Sequence, residues 1–211
     1  MNFEEIKKKT EAFVKEELYA LEPWILNVEW EEKLPKLNEL REKVKSKGLW
    51  LPQISKAYGG LGLTNAQHGE VSEILGASPY GHYCFNCQAP DAGNMEILIE
   101  FGTDEQKETY LYPLLKGEIR SCFAMTEPDH AGSNPVKMGT IAVKDNGNYI
   151  INGHKWFTSG FDGAAFAIVM LVSNPDGSAP HKKASQVIVP TSNKGLEFVR
   201  NISIMGNPGG G

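Results

Sequence analysis

The chain has 211 residues, of which 41% are hydrophobic, enough for a packed core in one large domain or two small ones and too many for a disordered segment. Its formal net charge of -5 is spread without a basic block, which excludes a nucleic-acid or anionic-membrane binder and points to a small-molecule partner. No apolar run approaches the roughly 20 residues of a membrane span, and Met1 to Thr10 is too charged for a secretory signal, so a cytoplasmic chain is expected.

Phe3, Ile6, Phe13, Val14 and Leu18 fall on one face of a helix whose other positions are largely Lys and Glu, and Pro23 is expected to end that stretch. Leu34, Leu37, Leu40 and Val44 recur at three and four residues, with Pro35 near the start and Gly48 past the end, which predicts a second helix. Leu49 to Leu63 reads as loop, rich in glycine. Thr64 with Gln67 forms a capping box for a third helix ending at Gly76. Asp91 is expected to cap a fourth, running to Gly102, and Thr103 with Gln106 caps a fifth that carries Tyr110, Leu111, Leu114 and Leu115. These five make a helical bundle.

After residue 120 the apolar period drops from about 3.6 to 2. Arg120 to Thr126 reads as a buried strand that Thr126-Glu127-Pro128 terminates, because proline has no N-H to continue a ladder. Ile141 and Val143, then Asn146-Gly147, then Tyr149 to Ile151 predict a hairpin with a type I′ turn. Ala165 to Val172, Gln186 to Val189 and Leu196 to Val199 are predicted strands, and Asn174-Pro175-Asp176-Gly177 is a turn.

Cys84 and Cys87 form a C-x-x-C pair, but no second pair exists and only His82 is near, so packing explains them better than metal or redox chemistry. His68, His82 and His181 read as surface or satisfied side chains, and His154 follows the Asn152-Gly153 turn. No G-x-G-x-x-G follows a strand, so a Rossmann mode of dinucleotide binding is unsupported.

Three motifs carry a resemblance. Phe123-Ala124-Met125-Thr126-Glu127-Pro128 with Ala131-Gly132-Ser133, followed by Asn152-Gly153-His154-Lys155-Trp156-Phe157-Thr158-Ser159-Gly160, resembles the flavin-binding signature of the acyl-CoA dehydrogenases. Gln88-Ala89-Pro90-Asp91-Ala92-Gly93-Asn94-Met95, with Phe101-Gly102-Thr103 and Gly117-Glu118-Ile119-Arg120-Ser121, is most similar to the subgroup that handles long-chain acyl-CoAs. The resemblance runs through essentially the whole chain. It implies an α+β fold: an N-terminal helical bundle over residues 1–119, then a β-barrel-like middle domain over 120–211 that stops short, with the family's C-terminal helical domain absent.

The resemblance further implies FAD, with Phe123, Met125, Thr126, Trp156, Phe157 and Thr158 at the isoalloxazine and Gly132 and Ser133 at the pyrophosphate. Flavin chemistry agrees, since the ring's heteroatoms need a fixed fringe of hydrogen-bond partners and its flat face an aromatic platform. The alternative is that Trp156 is β-domain core and the threonines are ordinary strand residues. Asn134 and His130 depart from the family's usual residues. Cys84, Phe85, Asn86 and Gln88 match family positions along the acyl chain; the alternative for them is bundle core.

The implied reaction is α,β-dehydrogenation of an acyl-CoA thioester to a trans-2-enoyl-CoA, with an electron-transferring flavoprotein as electron acceptor. It needs a carboxylate base near the α carbon, which the family supplies from the C-terminal bundle. No residue here matches it, so no catalytic base is assigned, the chain alone is expected to be inactive, and Glu127 reads as a loop-structuring carboxylate. Self-association, or a separate C-terminal half, is expected to cover exposed strand edges and helix faces. A non-catalytic binding or scaffold protein of the same fold is the second function class, and a flavin monooxygenase or nitroalkane oxidase a third.

Overall fold

The structure, a computed structural model, describes residues 1–132, 134–177 and 179–204; Ser133 and the glycine-rich end after Ile204 lie outside the described residues. Two compact units divide the chain, one from Met1 to Glu96 and one from Ile97 onward.

In the first unit, α1 (Phe3–Phe13) starts with a reciprocal cap: Asn2 Oδ1 accepts from the Glu5 amide at 2.9 Å, and Glu5 Oε2 accepts from the Asn2 amide at 2.9 Å. The helix widens into a π turn over Val14–Leu18, closed by the Tyr19 amide on Val14 O at 3.0 Å, which keeps both Val14 and Leu18 buried. Pro23 does not end this stretch. It sits in the first turn of α2 (Glu22–Ile25), where the missing N-H removes no helical bond.

The second predicted helix is α3 (Trp30–Ser46), with Leu37, Leu40 and Val44 buried and Pro35 accommodated near its start. Gly48, just beyond, has φ 70°. The loop that follows folds back on itself through the Leu61 amide on Leu51 O at 3.1 Å. Gly60 is required there, because a Cβ would strike the Ile54 carbonyl. The Thr64–Gln67 box opens α4 (Asn65–Leu75), and α5 (Gly81–Cys84) follows. Ile6, Phe13, Leu18, Leu37, Leu40, Leu75 and Phe85 form one core, in which Phe13 meets Phe85 edge-on at 5.4 Å.

α6 (Asp91–Phe101) begins at Asp91, not after it: the buried carboxylate stands inside the helix and accepts from Gln88 Nε2 at 2.6 Å. The Thr103–Gln106 box starts α7 (Asp104–Gln106), which runs through a second π turn, Lys107–Leu111, into α8 (Tyr112–Lys116). Gly117 at φ 76° ends the helical part with a left-handed residue.

Among the described residues the second unit's sheet has five strands: β1 (Ser121–Ala124), β2 (Ile141–Asp145), β3 (Asn148–Asn152), β4 (Phe166–Val172) and β5 (Ala184–Pro190). β4 is the organising strand, paired parallel to β1 with Ser121 opposite Phe166 and antiparallel to β5 along its length. β2 joins it at Ile141–Val172 and pairs antiparallel with β3. Asn146 and Gly147, at φ 47° and 84°, form the predicted type I′ turn. Leu196 to Val199 is not a strand: Phe198 and Val199 are exposed, and Phe198 stacks on Phe161 at 5.4 Å instead of joining a ladder.

Candidate functional site

β1 separates its side chains cleanly. Cys122 and Ala124 enter the core, whereas Phe123 and, just beyond the strand, Met125 and Thr126 stay half-buried. Glu127 then turns back inward and is 4% exposed, so its carboxylate must find donors. It finds four. Oε2 accepts from the Gly139 amide at 2.5 Å and faces His130 Nδ1 at 2.9 Å; Oε1 accepts from the Thr140 amide at 2.8 Å and from Lys155 Nζ at 2.8 Å. Burial pushes the carboxyl pKa up, but the Lys155 ammonium and the two backbone amides prevail and hold it at about 2. Glu127 is therefore a structural anchor joining β1 to the start of the hairpin, as its reading as a loop-structuring carboxylate anticipates.

The second motif lies directly against the first. The Trp156 amide donates to Thr126 O at 3.0 Å, and Lys155 Nζ donates to Met125 O at 2.8 Å. The Trp156 and Phe157 rings stand 4.8 Å apart at 57°, with Phe157 in the left-handed region at φ 49° and 43% exposed. A bulky residue at positive φ is a backbone outlier that the surrounding contacts must impose. Trp156 Nε1 is buried without a hydrogen-bond acceptor among the described residues, and Thr158 is half-buried. Gly132 closes on the same place: a Cβ there would lie 2.6 Å from Thr126 Cγ2. The structure thus gathers Phe123, Met125, Thr126, Gly132, Trp156, Phe157 and Thr158 around the exit of β1. Ser133 lies outside the described residues.

The other candidates belong to the first unit. Cys84 and Phe85 are core residues, and burial pushes the Cys84 and Cys87 thiols up to about 12, the range of inert cysteines. Asn86, at φ 55°, is buried and accepts on Oδ1 from Arg41 Nη2 at 3.3 Å. Gln88 Oε1 is buried without a partner among the described residues. Arg41 organises this segment: it donates to Tyr83 O at 2.7 Å, and its guanidinium lies 4.9 Å from the Trp50 ring and 4.6 Å from the Tyr83 ring. His82 is satisfied by Ser72 at 2.6 Å, whereas His68, contrary to expectation, has a buried Nδ1 without a partner among the described residues, and burial lowers its pKa. Among the described residues no group of His, Cys, Asp and Glu is arranged to hold a metal ion.

Residue patterns missed Lys155, Arg41 and the Gly139–Thr140 pair of amides. Their partners are 12 to 45 positions away in sequence, and only a buried carboxylate or guanidinium in need of partners hints at them.

Comparison with known proteins decides the family. The model described as acyl-CoA dehydrogenase, N-terminal domain, matches residues 2–118, and that for the middle domain matches residues 122–210. The chain belongs to the acyl-CoA dehydrogenase family. It is 40% identical over 213 residues to acyl-CoA dehydrogenase family member 10 of Mus musculus, covering 94% of this chain and 20% of that one. Its identity to family member 11 of Gallus gallus is 37% over 217 residues, covering 96% and 27%. Among solved structures, a Mycobacterium abscessus protein provisionally classed as an acyl-CoA dehydrogenase superposes with a TM-score of 0.92 at 33% identity, over 99% of this chain and 55% of that one. A glutaryl-CoA dehydrogenase from Mycobacterium smegmatis, in complex with FADH2, gives 0.69 at 26% identity, over 95% and 49%. This acyl-CoA dehydrogenase chain thus spans 20% to 27% of those two curated relatives and about half of the two solved chains.

Proposed function

We propose that this chain forms the FAD-binding part of an acyl-CoA dehydrogenase, which oxidises an acyl-CoA thioester to a trans-2-enoyl-CoA and passes electrons to an electron-transferring flavoprotein. The observation that carries the reading is the contact between two motifs 30 residues apart, in which the Trp156 amide is hydrogen-bonded to Thr126 O at 3.0 Å. The residues fit a flavin. Trp156 Nε1 is a buried donor with no acceptor among the described residues, Phe123 and Met125 are apolar and only half-buried, and Gly132 allows backbone to approach closely beside Thr126. The FADH2 in the Mycobacterium smegmatis relative supports the same assignment.

Bound FAD would supply the acceptor for the β hydride. The protein's part is orientation. Thr126 and Thr158 would offer hydroxyls and backbone to the ring's polar edge, Trp156 and Phe157 would offer aromatic area, and Gly132, with Ser133 as the motif implies, would serve the pyrophosphate. Glu127 is not offered as the base, because the Gly139 and Thr140 amides and the Lys155 ammonium already share its two oxygens and hold it ionised. The α-proton base is assigned to a part of the enzyme beyond this chain. In the first unit, Gln88, half-buried, is the one of the four acyl-chain candidates open enough to meet an acyl chain; Cys84, Phe85 and Asn86 are packed in the interior.

Titration with FAD, followed by flavin fluorescence, tests the reading. Saturable binding is expected, weakened in Trp156→Ala and in Thr158→Val; unchanged affinity in both variants would move the flavin elsewhere.

A further inference from the structure

Lys155 is one residue before the aromatic pair, and its ammonium performs a task no other described side chain shares. Nζ donates to Met125 O at 2.8 Å and to Glu127 Oε1 at 2.8 Å, and Met138 Sδ lies 3.9 Å away. The side chain is only 11% exposed, an environment a lysine accepts when its charge is paired. The adjoining Trp156 amide holds Thr126 O, so consecutive residues of one motif grip consecutive carbonyls of the other. One backbone bond alone would leave a pivot; the lysine supplies a second and third attachment that fix the angle. Phe157, directly after, is held at φ 49°, which needs such external constraint.

We propose that Lys155 is a positioning residue: it clamps the Lys155–Thr158 segment to the exit of β1 and so sets where the Trp156 indole and the Thr158 hydroxyl meet the flavin. This rests on the flavin-binding reading above. Lys155 need not touch the cofactor, since it acts through its neighbours. Glu127 still has the Gly139 and Thr140 amides as donors when the lysine is removed, so the start of the hairpin keeps its anchor although the carboxylate loses its counterion.

The test compares the full chain with Lys155→Met, Lys155→Arg and Trp156→Ala, reading amide exchange at Trp156, FAD affinity and the visible circular dichroism of bound flavin. In Lys155→Met, exchange at Trp156 is expected to rise and FAD affinity to fall, each by about tenfold or more, as loss of charge-assisted bonds implies. The flavin's circular dichroism should change, and protection in β2 and β3 should not. Lys155→Arg, which keeps charge and donors, should recover part of the affinity. Unchanged exchange at Trp156 in Lys155→Met overturns the clamp. Faster exchange with wild-type affinity and spectrum, while Trp156→Ala weakens binding, overturns the positioning role and leaves the flavin reading standing. A wild-type chain that binds no FAD, or one whose affinity Trp156→Ala leaves unchanged, defeats the flavin reading and the positioning role with it; faster exchange would then mark a purely structural brace.

Discussion

Replacing Glu127 with Gln keeps the shape of the side chain and removes its charge. The carboxylate now serves the Gly139 and Thr140 amides, Lys155 and His130. An amide has one acceptor oxygen and one NH2, so at least one of the two donor pairs would meet another donor, and the Lys155 ammonium would lose its counterion while 11% exposed. Breaking a buried pair from one side costs about 3 to 5 kcal/mol, and the retained oxygen places this change near the lower end, about 3 kcal/mol. Linkage gives a matching scale. The carboxyl goes from 4.5 to about 2 on folding, and 2.5 units at 1.36 kcal/mol each is about 3 kcal/mol. Part of that is offset because burial lowers the Lys155 pKa, which opposes its charged form in the fold. Since the folded carboxyl is the stronger acid, this stabilisation is complete above pH 4.5 and drains away as pH falls towards 2. Urea unfolding of both proteins from neutral pH downward, read by exchange in β1 and β2 peptides to isolate the second unit, should show a wild-type advantage that shrinks across this window. An advantage below about 0.5 kcal/mol at neutral pH, or one that stays constant down to pH 2, would refute the anchoring role.

Gly132→Ala should weaken FAD binding and cost about 1 to 3 kcal/mol, because the new methyl sits 2.6 Å from Thr126 Cγ2 and must displace the loop; thermal melts and FAD titration check it, and a neutral result would remove the close approach. Cys84 and Cys87, with thiols pushed up to about 12, should resist a disulfide reagent at about pH 8 in the native protein and react once urea opens the core. Rapid native labelling of either, measured by mass spectrometry, would mean that the Cys84–Gln88 segment opens readily.

The parts of the fold readable in the chain are those written in local chemistry. Thr64 with Gln67 and Thr103 with Gln106 make their capping boxes, and Asn146-Gly147 makes its turn, because each depends on residues within a few positions. Where competing uses exist, local signals mislead. Pro23 can end one helix or open another, and a continuous turn through Leu18 decided for the second. Leu196 to Val199 has strand composition but no partner strand among the described residues, and Phe198 stacks on Phe161 instead. The parallel pairing of β1 with β4 left only an indirect trace, the near-continuous apolar run of a strand buried on both faces. At the site, the residue types suited to a flavin were legible in two motifs, but the brace between them was not. Lys155 and Glu127 meet across 28 positions, and nothing in either neighbourhood specifies the other.

Hydrogen exchange of the chain with and without FAD tests the central claim most directly, because it reports where the cofactor sits without requiring turnover. FAD should protect the amides of residues 123–127, the loop around Gly132 and residues 155–158 together, and leave the β3 tip and α1 unchanged. Protection elsewhere in the chain, with these three segments unaffected, would contradict the assignment of the flavin to the junction of the two motifs.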